Sequence, residues 1–246
     1  MLLVEIRVPN NSEKQETMKK TIHFLAGLIL FSALSFSFVA KTKSVNKPEL
    51  KTESAGNVTT NAASTRHDHA IDATSMSSFL FTRLKLNEKG LSRNALEVAL
   101  KGYLHLQEQG LVKNSELLSV VDFSQSSRKK RFYLIDVKNS KLLVNTYVAH
   151  GKNSGLDKTE SFSNIPESEK SSLGFYVTKG TYTGKNGFSL RMAGVDKGFN
   201  DNAEKRAIVV HGADYVNAGR VSSAYMGRSQ GCPALPREEY INVIHL

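Results

Sequence analysis

The chain has 246 residues, with 33 lysines and arginines against 23 acidic residues, a formal charge of +10. That length suits one compact domain with appendages, and 40% hydrophobic content supports a core, which excludes a wholly disordered chain. Seventeen glycines and five prolines exclude collagen-like and proline-rich classes, and a single cysteine excludes an intrachain disulfide framework or a cysteine-ligated metal cluster.

Met18 precedes Lys19 and Lys20, and a weakly polar, mostly apolar run follows from Thr21 to Ala40. A positive n-region ahead of an apolar stretch is the pattern of a secretory signal. Residues 18–40 are expected to be a signal peptide or an N-terminal anchor, the second with membrane attachment through residues 21–40, and residues 1–17 an upstream extension. Ala40 suits a cleavage point, Phe38 is too large for a small-x-small pattern, and Ser35 and Ser37 offer another cut. No cysteine follows the run, so a lipid-modified cysteine anchor is excluded. Either reading sends the rest of the chain to the cell envelope, periplasmic or extracytoplasmic. There nucleic acid is not the expected partner of the basic charge, and an acidic wall polymer or membrane surface is. The tract Arg128-Lys129-Lys130-Arg131 accordingly reads as a solvated turn leading into a strand.

Residues 41–75 carry Lys, Thr, Ser, Asn and Ala with few large apolar side chains, the composition of a flexible linker. His67-Asp68-His69 within it reads as a solvated polar cluster. Structure is expected from Met76, with 76–117 a helical lead-in. Ser92 is a plausible N-cap, Leu96, Ala99, Leu100, Tyr103 and Leu104 follow at helical spacing, and Gly110 is placed to end the helix. Residues 118–246 read as a β domain. Strands are predicted at 118–123, 132–137, 142–149, 174–178, 188–192 and 207–211, with 138–141 a hairpin turn. No helical pattern alternates with them, which favours a mainly antiparallel, mainly β fold with an N-terminal helical segment.

Two segments carry chemistry. Ala207–Gly212 reads as a buried strand ending in His211 and Gly212, and Gly227–Ala234 is a turn holding the only cysteine, Cys232. A lone thiol in an exported protein is exposed to oxidation, whereas beside a base it is a strong acyl-transfer nucleophile. His211 is the candidate base if the intervening loop folds back. Gly231 permits close backbone approach, so the Gly231 and Cys232 amides can aim at one oxyanion, and Pro233 biases Cys232 toward an extended backbone. Against this stands the plain alternative of a buried small hydrophobe beside a structural histidine.

His211-Gly212 followed by Ser229-Gln230-Gly231-Cys232 resembles the signature of the L,D-transpeptidases, the YkuD-like family. The stretches 148–155, 171–176, 198–203 and 227–236 resemble its subgroup of murein L,D-transpeptidase catalytic domain proteins, so the likeness spans roughly 76–246. It implies a β-sandwich-like catalytic domain acting on peptidoglycan stem peptides, a donor tetrapeptide and an amine acceptor. It assigns Cys232 as nucleophile, His211 as base, and Gly231 with the Cys232 amide as oxyanion hole; Ser229 matches the serine that opens the turn. Arg228, Gly212 and His150 are further substrate-binding or supporting candidates, His150 either lining the cleft or bonding a loop carbonyl. The serine-rich 161–172 segment is expected beside the site. Asp214 is the nearest acid to His211, but the family orients its histidine through a backbone carbonyl. Two departures stand out. Ala234 occupies the position where most of the family has arginine, leaving Arg228 or Arg237 to supply that charge. The chain also ends fourteen residues after Cys232, where 238–244 reads as a helix cut short before a usual further strand, a possible truncation.

The leading function is an exported cysteine acyltransferase that releases D-alanine through a Cys232 thioester. No metal or organic cofactor is required, since thiol and imidazole do the covalent and proton work. The alternatives are an L,D-carboxypeptidase or a catalytically weak envelope-binding module. A zinc peptidase using His150, His211 and Asp214 is more remote, for no HExxH-like spacing is present.

Overall fold

The computed structural model describes residues 2–6, 61–112 and 116–246. The export segment 18–40, the rest of the upstream extension and the linker as far as residue 60 lie outside the described residues. A helix runs from Asn61 to Arg83, beginning ahead of Met76. His67-Asp68-His69 falls on it, and the expectation for those side chains lies outside what is described. Among the described residues, no helix is long and apolar enough to cross a membrane.

The second helix, Arg93–Glu108, starts where its cap dictates: the Ser92 Oγ accepts from the Ala95 amide at 3.1 Å. It buries Ala95, Leu96, Ala99, Leu100, Tyr103 and Leu106, while Leu104 is half-buried. Gly110, at φ 68, takes the left-handed conformation that ends it. At Gly102 the missing side chain matters, because a Cβ would lie 2.0 Å from the Phe175 ring. That glycine lets the helix settle on the sheet.

The strands are β1 (Leu2–Ile6), β2 (Leu117–Asp122), β3 (Phe132–Asp136), β4 (Lys141–Thr146), β5 (Gly174–Gly184), β6 (Gly187–Gly194), β7 (Val209–Ala213) and β8 (Ala234–Pro236). They hydrogen-bond in the order β4-β3-β2-β1-β5-β6-β7-β8. The β1–β2 and β7–β8 pairs are parallel and the others antiparallel. The fold is mainly β, as the strand pattern predicts. β1 comes from the expected upstream extension and lies between β2 and β5.

β2 explains how the layers form. All six of its residues are buried, and alternation sends Leu118 and Val120 to the helix side and Leu117 and Val121 to the other. On that other side, Phe132 and Leu134 of β3 share one core with Met192, Val210 and Leu235 from β6, β7 and β8. The two halves of the strand order therefore face each other across a common core, the layered arrangement expected of a sandwich. They also meet at their edges. Three residues beyond β4, Ala149 bridges to Ala234 of β8, its amide 2.9 Å from the Ala234 carbonyl. This closing seam carries the cysteine turn.

Three strand boundaries differ most from the predicted ones, and the first is β4, which ends at Thr146 and not at 149. β5 runs past Thr178 to Gly184 through a register shift between Thr178 and Thr181. β7 starts at Val209, because Ala207 is left-handed at φ 52 and closes the preceding turn. His211 thus sits in mid-strand. The C-terminal helix, Tyr240–His245, buries Tyr240, Val243 and Ile244, with the Tyr240 ring filling the space a Cβ on Gly212 would need.

Candidate active site

The cysteine turn is held from both sides. Its Ser229 amide donates to the His150 carbonyl at 2.8 Å, and its Ser229 carbonyl accepts from the Lys152 amide at 2.8 Å. Inside the turn, the Ser229 hydroxyl donates to the Cys232 carbonyl at 2.6 Å and accepts from the Gly231 amide at 3.1 Å. One serine thus fixes the curvature of four residues. Gly231 has φ 120, and a Cβ there would lie 2.8 Å from the Lys170 carbonyl. Only glycine fits both the conformation and the approach. In this state the Gly231 amide is engaged by Ser229.

Cys232 is 9% exposed, and its Sγ donates to the Ala207 carbonyl at 3.7 Å. Two clefts meet at Ala207. One, of about 520 Å³, is lined by Glu167, Glu169, Lys205, Arg206 and Gln230 among others. The second, of about 350 Å³, is lined by Tyr182, Arg191, Met192, Glu204, Ile208 and Val209. The thiol lies behind the residue common to both.

His211 stands opposite Ser189 on β6 and opposite Ala234 on β8, two residues past Cys232. Its Nδ1 is 3.1 Å from the Gly212 carbonyl. A carbonyl only accepts, so Nδ1 carries the proton and Nε2 keeps its lone pair. Burial pushes the imidazole pKa below its ordinary value; the Gly212 contact opposes this and the Arg237 charge adds to it. The ring is therefore neutral, oriented by a backbone carbonyl, and carries a free basic nitrogen. The Asp214 carboxylate is taken up by Arg237, at 3.0 and 3.3 Å.

The remaining predicted site residues are placed differently. Arg228 donates to the Lys152 carbonyl at 2.8 Å and lies over the Tyr225 ring, which ties it to the 152–155 loop. His150 is fully buried, with Nδ1 2.7 Å from Arg131 Nη2 and Nε2 3.2 Å from the Gly155 carbonyl. The basic tract is only partly the solvated turn expected. Lys129 and Lys130 are exposed and Arg128 pairs with Asp157, but Arg131 is wholly buried because every acceptor around it is aimed inward. Among the described residues no three His, Cys, Asp or Glu side chains gather as a metal site requires.

Arg206 and Tyr215 had no sequence signal, and Ser171 was legible only as part of the serine-rich segment expected beside the site. Arg206 donates to the Ser163 carbonyl, the Ser172 hydroxyl and the Lys170 carbonyl, pinning the serine-rich loop beside Gly231. Ser171 accepts from the Gly151 amide at 3.1 Å and donates to the Gly231 carbonyl at 3.4 Å. Tyr215 fills the space beside Gly227, and its pKa is pushed up to about 12 by burial and by the nearby Cys232 charge. Each acts through a fold-back contact that spacing along the chain does not reveal.

A protein-family model described as the L,D-transpeptidase catalytic domain matches residues 87–246. No curated protein matches the chain, and no solved structure does.

Proposed function

Since the chain belongs to the L,D-transpeptidase catalytic-domain family, which acts on peptidoglycan stem peptides, we propose that it is an exported cysteine acyltransferase with Cys232 as nucleophile and His211 as base. The observation that carries the reading is His211: its Nδ1 is held by the Gly212 carbonyl, and its strand is paired with the one that begins just after Cys232. That leaves Nε2 to take the thiol proton.

The thiolate of Cys232 attacks the carbonyl that follows the third, diamino-acid residue of a tetrapeptide stem. The bond to the terminal D-alanine breaks, its nitrogen takes the proton from His211, and a thioester remains. An amine of a second stem then attacks the thioester, passing its proton through His211, and the thiol is regenerated. The Cys232 amide serves the oxyanion; the Gly231 amide joins it only by turning from the Ser229 hydroxyl. Water in place of the amine gives L,D-carboxypeptidase action, a second reading motivated by the uncharged Ala234 at the position where most of the family has arginine.

Export through residues 18–40 accompanies this proposal. Cleavage after that run would separate Leu2–Ile6 from the domain and open the space between β2 and β5.

The test is mass analysis of the soluble domain with defined tetrapeptide muropeptides. A thioester on Cys232 and release of D-alanine are expected, and Cys232→Ser abolishes both while keeping the fold. Undiminished D-alanine release by that variant sinks the mechanism, and a slow, pH-insensitive thiol without adduct favours a binding module.

A further inference from the structure

Arg131 is 0% exposed, and all five of its N–H groups are used. Nε and Nη2 both donate to the Val148 carbonyl, at 3.2 and 3.1 Å. Nη1 donates to the Gln125 carbonyl at 3.0 Å and the Thr159 hydroxyl at 3.1 Å. The second Nη2 proton goes to His150 Nδ1, at 2.7 Å. An arginine has no acceptor to offer, so His150 accepts at Nδ1 and its proton sits on Nε2, which donates to the Gly155 carbonyl. Both ring nitrogens are spoken for. The Phe123 ring lies under the guanidinium at 5.0 Å and meets the imidazole edge-on.

What this pair grips is the seam. Val148 and His150 flank Ala149, whose amide closes the sheet onto Ala234, and the His150 carbonyl receives the Ser229 amide. Ser229 in turn fixes Gly231 and Cys232. On the other side, Gly151 lies so close to the 169–171 backbone that a Cβ would meet the Glu169 carbonyl at 2.4 Å. The seam cannot shift toward that loop, and Arg131 prevents it from shifting away.

We infer that Arg131 and His150 are positioning residues for Cys232, holding the closing strand in the register that aims the cysteine turn. This rests on the acyltransferase reading and deepens it. Apolar side chains of similar volume would fill the space as well, but they impose no direction on a backbone carbonyl. A buried charged group retained against its desolvation cost is best understood by what it orients. A misplacement of about 1 Å at a reacting group can cost about a hundredfold in rate.

The test separates direction from packing. Arg131→Met and His150→Leu each strand a buried polar partner, so each lowers the melting temperature. The double variant relieves only the stranding of one partner by the other, because the Val148 and Gln125 carbonyls still lack the Arg131 donors. It therefore recovers part of that stability, and its Cys232 acylation by tetrapeptide stays about a hundredfold slow in kcat with KM little changed. Its thiol alkylation, followed against pH, shows a displaced profile. A double variant that regains both stability and the wild-type rate overturns the proposal. Should the double variant fail to fold, His150→Asn and His150→Gln decide: Asn keeps an acceptor toward Arg131 and acylates faster than Gln, which keeps only the donor toward Gly155. Equal rates overturn the proposal. A wild-type chain that forms no adduct with any stem peptide overturns the acyltransferase reading instead, and the alkylation profiles, which need no peptide, still decide the positioning.

Discussion

On the helix side of the sheet, Leu80, Leu86, Leu91, Leu96 and Leu100 pack with Leu118, Val120 and Ile135 in one apolar cluster. Around the seam, the buried groups include Ser127, Arg131, His150, Ser154, Thr159, Ser171 and Ser229. Hydrocarbon contacts are non-directional and tolerate volume-conserving exchange. Buried hydrogen bonds tolerate neither a lost partner nor a changed angle. The first region supplies stability, and the second spends polar groups to fix where a few backbone atoms lie. Substitutions on the helix side should therefore move the melting temperature and leave the chemistry of folded molecules alone, while substitutions at the seam should change that chemistry as well as the stability.

The largest separation is expected at His211. His211→Ala removes the group that takes the thiol proton and should slow acylation by about 10²–10⁴-fold, with the Cys232 alkylation profile moved to higher pH. Because burial lowers the His211 pKa, the base stays neutral and competent below the usual histidine range. Rapid-mixing acylation and alkylation across pH measure both. An unchanged profile would make His211 a structural residue and return the comparison to packing alone.

Acid provides a second way to sharpen it. The His150 pKa is lowered from 6.5 to about 4, first by burial and then by the Arg131 charge, with Arg228 adding to the shift while the Gly155 carbonyl and Asp157 oppose it. A histidine held neutral in the fold charges more readily once unfolded. Its contribution is complete above about pH 6.5 and is lost progressively as pH falls to about 4, at most about 3 kcal/mol. Asp157 is held at about 2, so its own loss falls at lower pH. Equilibrium unfolding between pH 7 and 4 should show the decline, reduced in His150→Asn. The same acid sensitivity in that variant would assign the effect to other groups.

How much of this was legible in the sequence follows the same division. Periodicity reported the helix-side packing well: Leu96, Ala99, Leu100 and Tyr103 are buried as spaced, and Ser92 caps the helix. The strands were most readable where β-branched and aromatic runs coincide with burial, as in β2 and β3, and the HG and SxGC motifs marked the turn and the strand that the fold brings together. Long-range polar contacts were not readable. Arg131 belongs to a tract that looks solvated, and only the fold places Val148, Thr159 and His150 around it. Arg206 sits in an unremarkable polar stretch, and its partners lie 34 to 43 residues away. The β7 boundary was missed for a local reason: a left-handed Ala207 delays the strand, and alanine gives no warning of that conformation.

The smallest effect tests the helix side where no core atom changes. Ser92→Ala removes the hydroxyl that accepts from the Ala95 amide and leaves a first-turn N–H without that partner. Such a loss costs about 1 kcal/mol. The helix rests on the far face of the sheet from that chemistry, through Phe175 against Gly102 and the leucines over β2. Loosening its first turn changes no bond at Ala149, His150 or Ser229. The variant should therefore melt a few degrees earlier while Cys232 alkylation in the folded chain keeps its rate and pH profile. Differential scanning calorimetry beside an alkylation time course, both well below the transition, makes the comparison. A shifted profile at unchanged folding would show that the two faces of the sheet are coupled, and that directional control of the thiol extends beyond the seam.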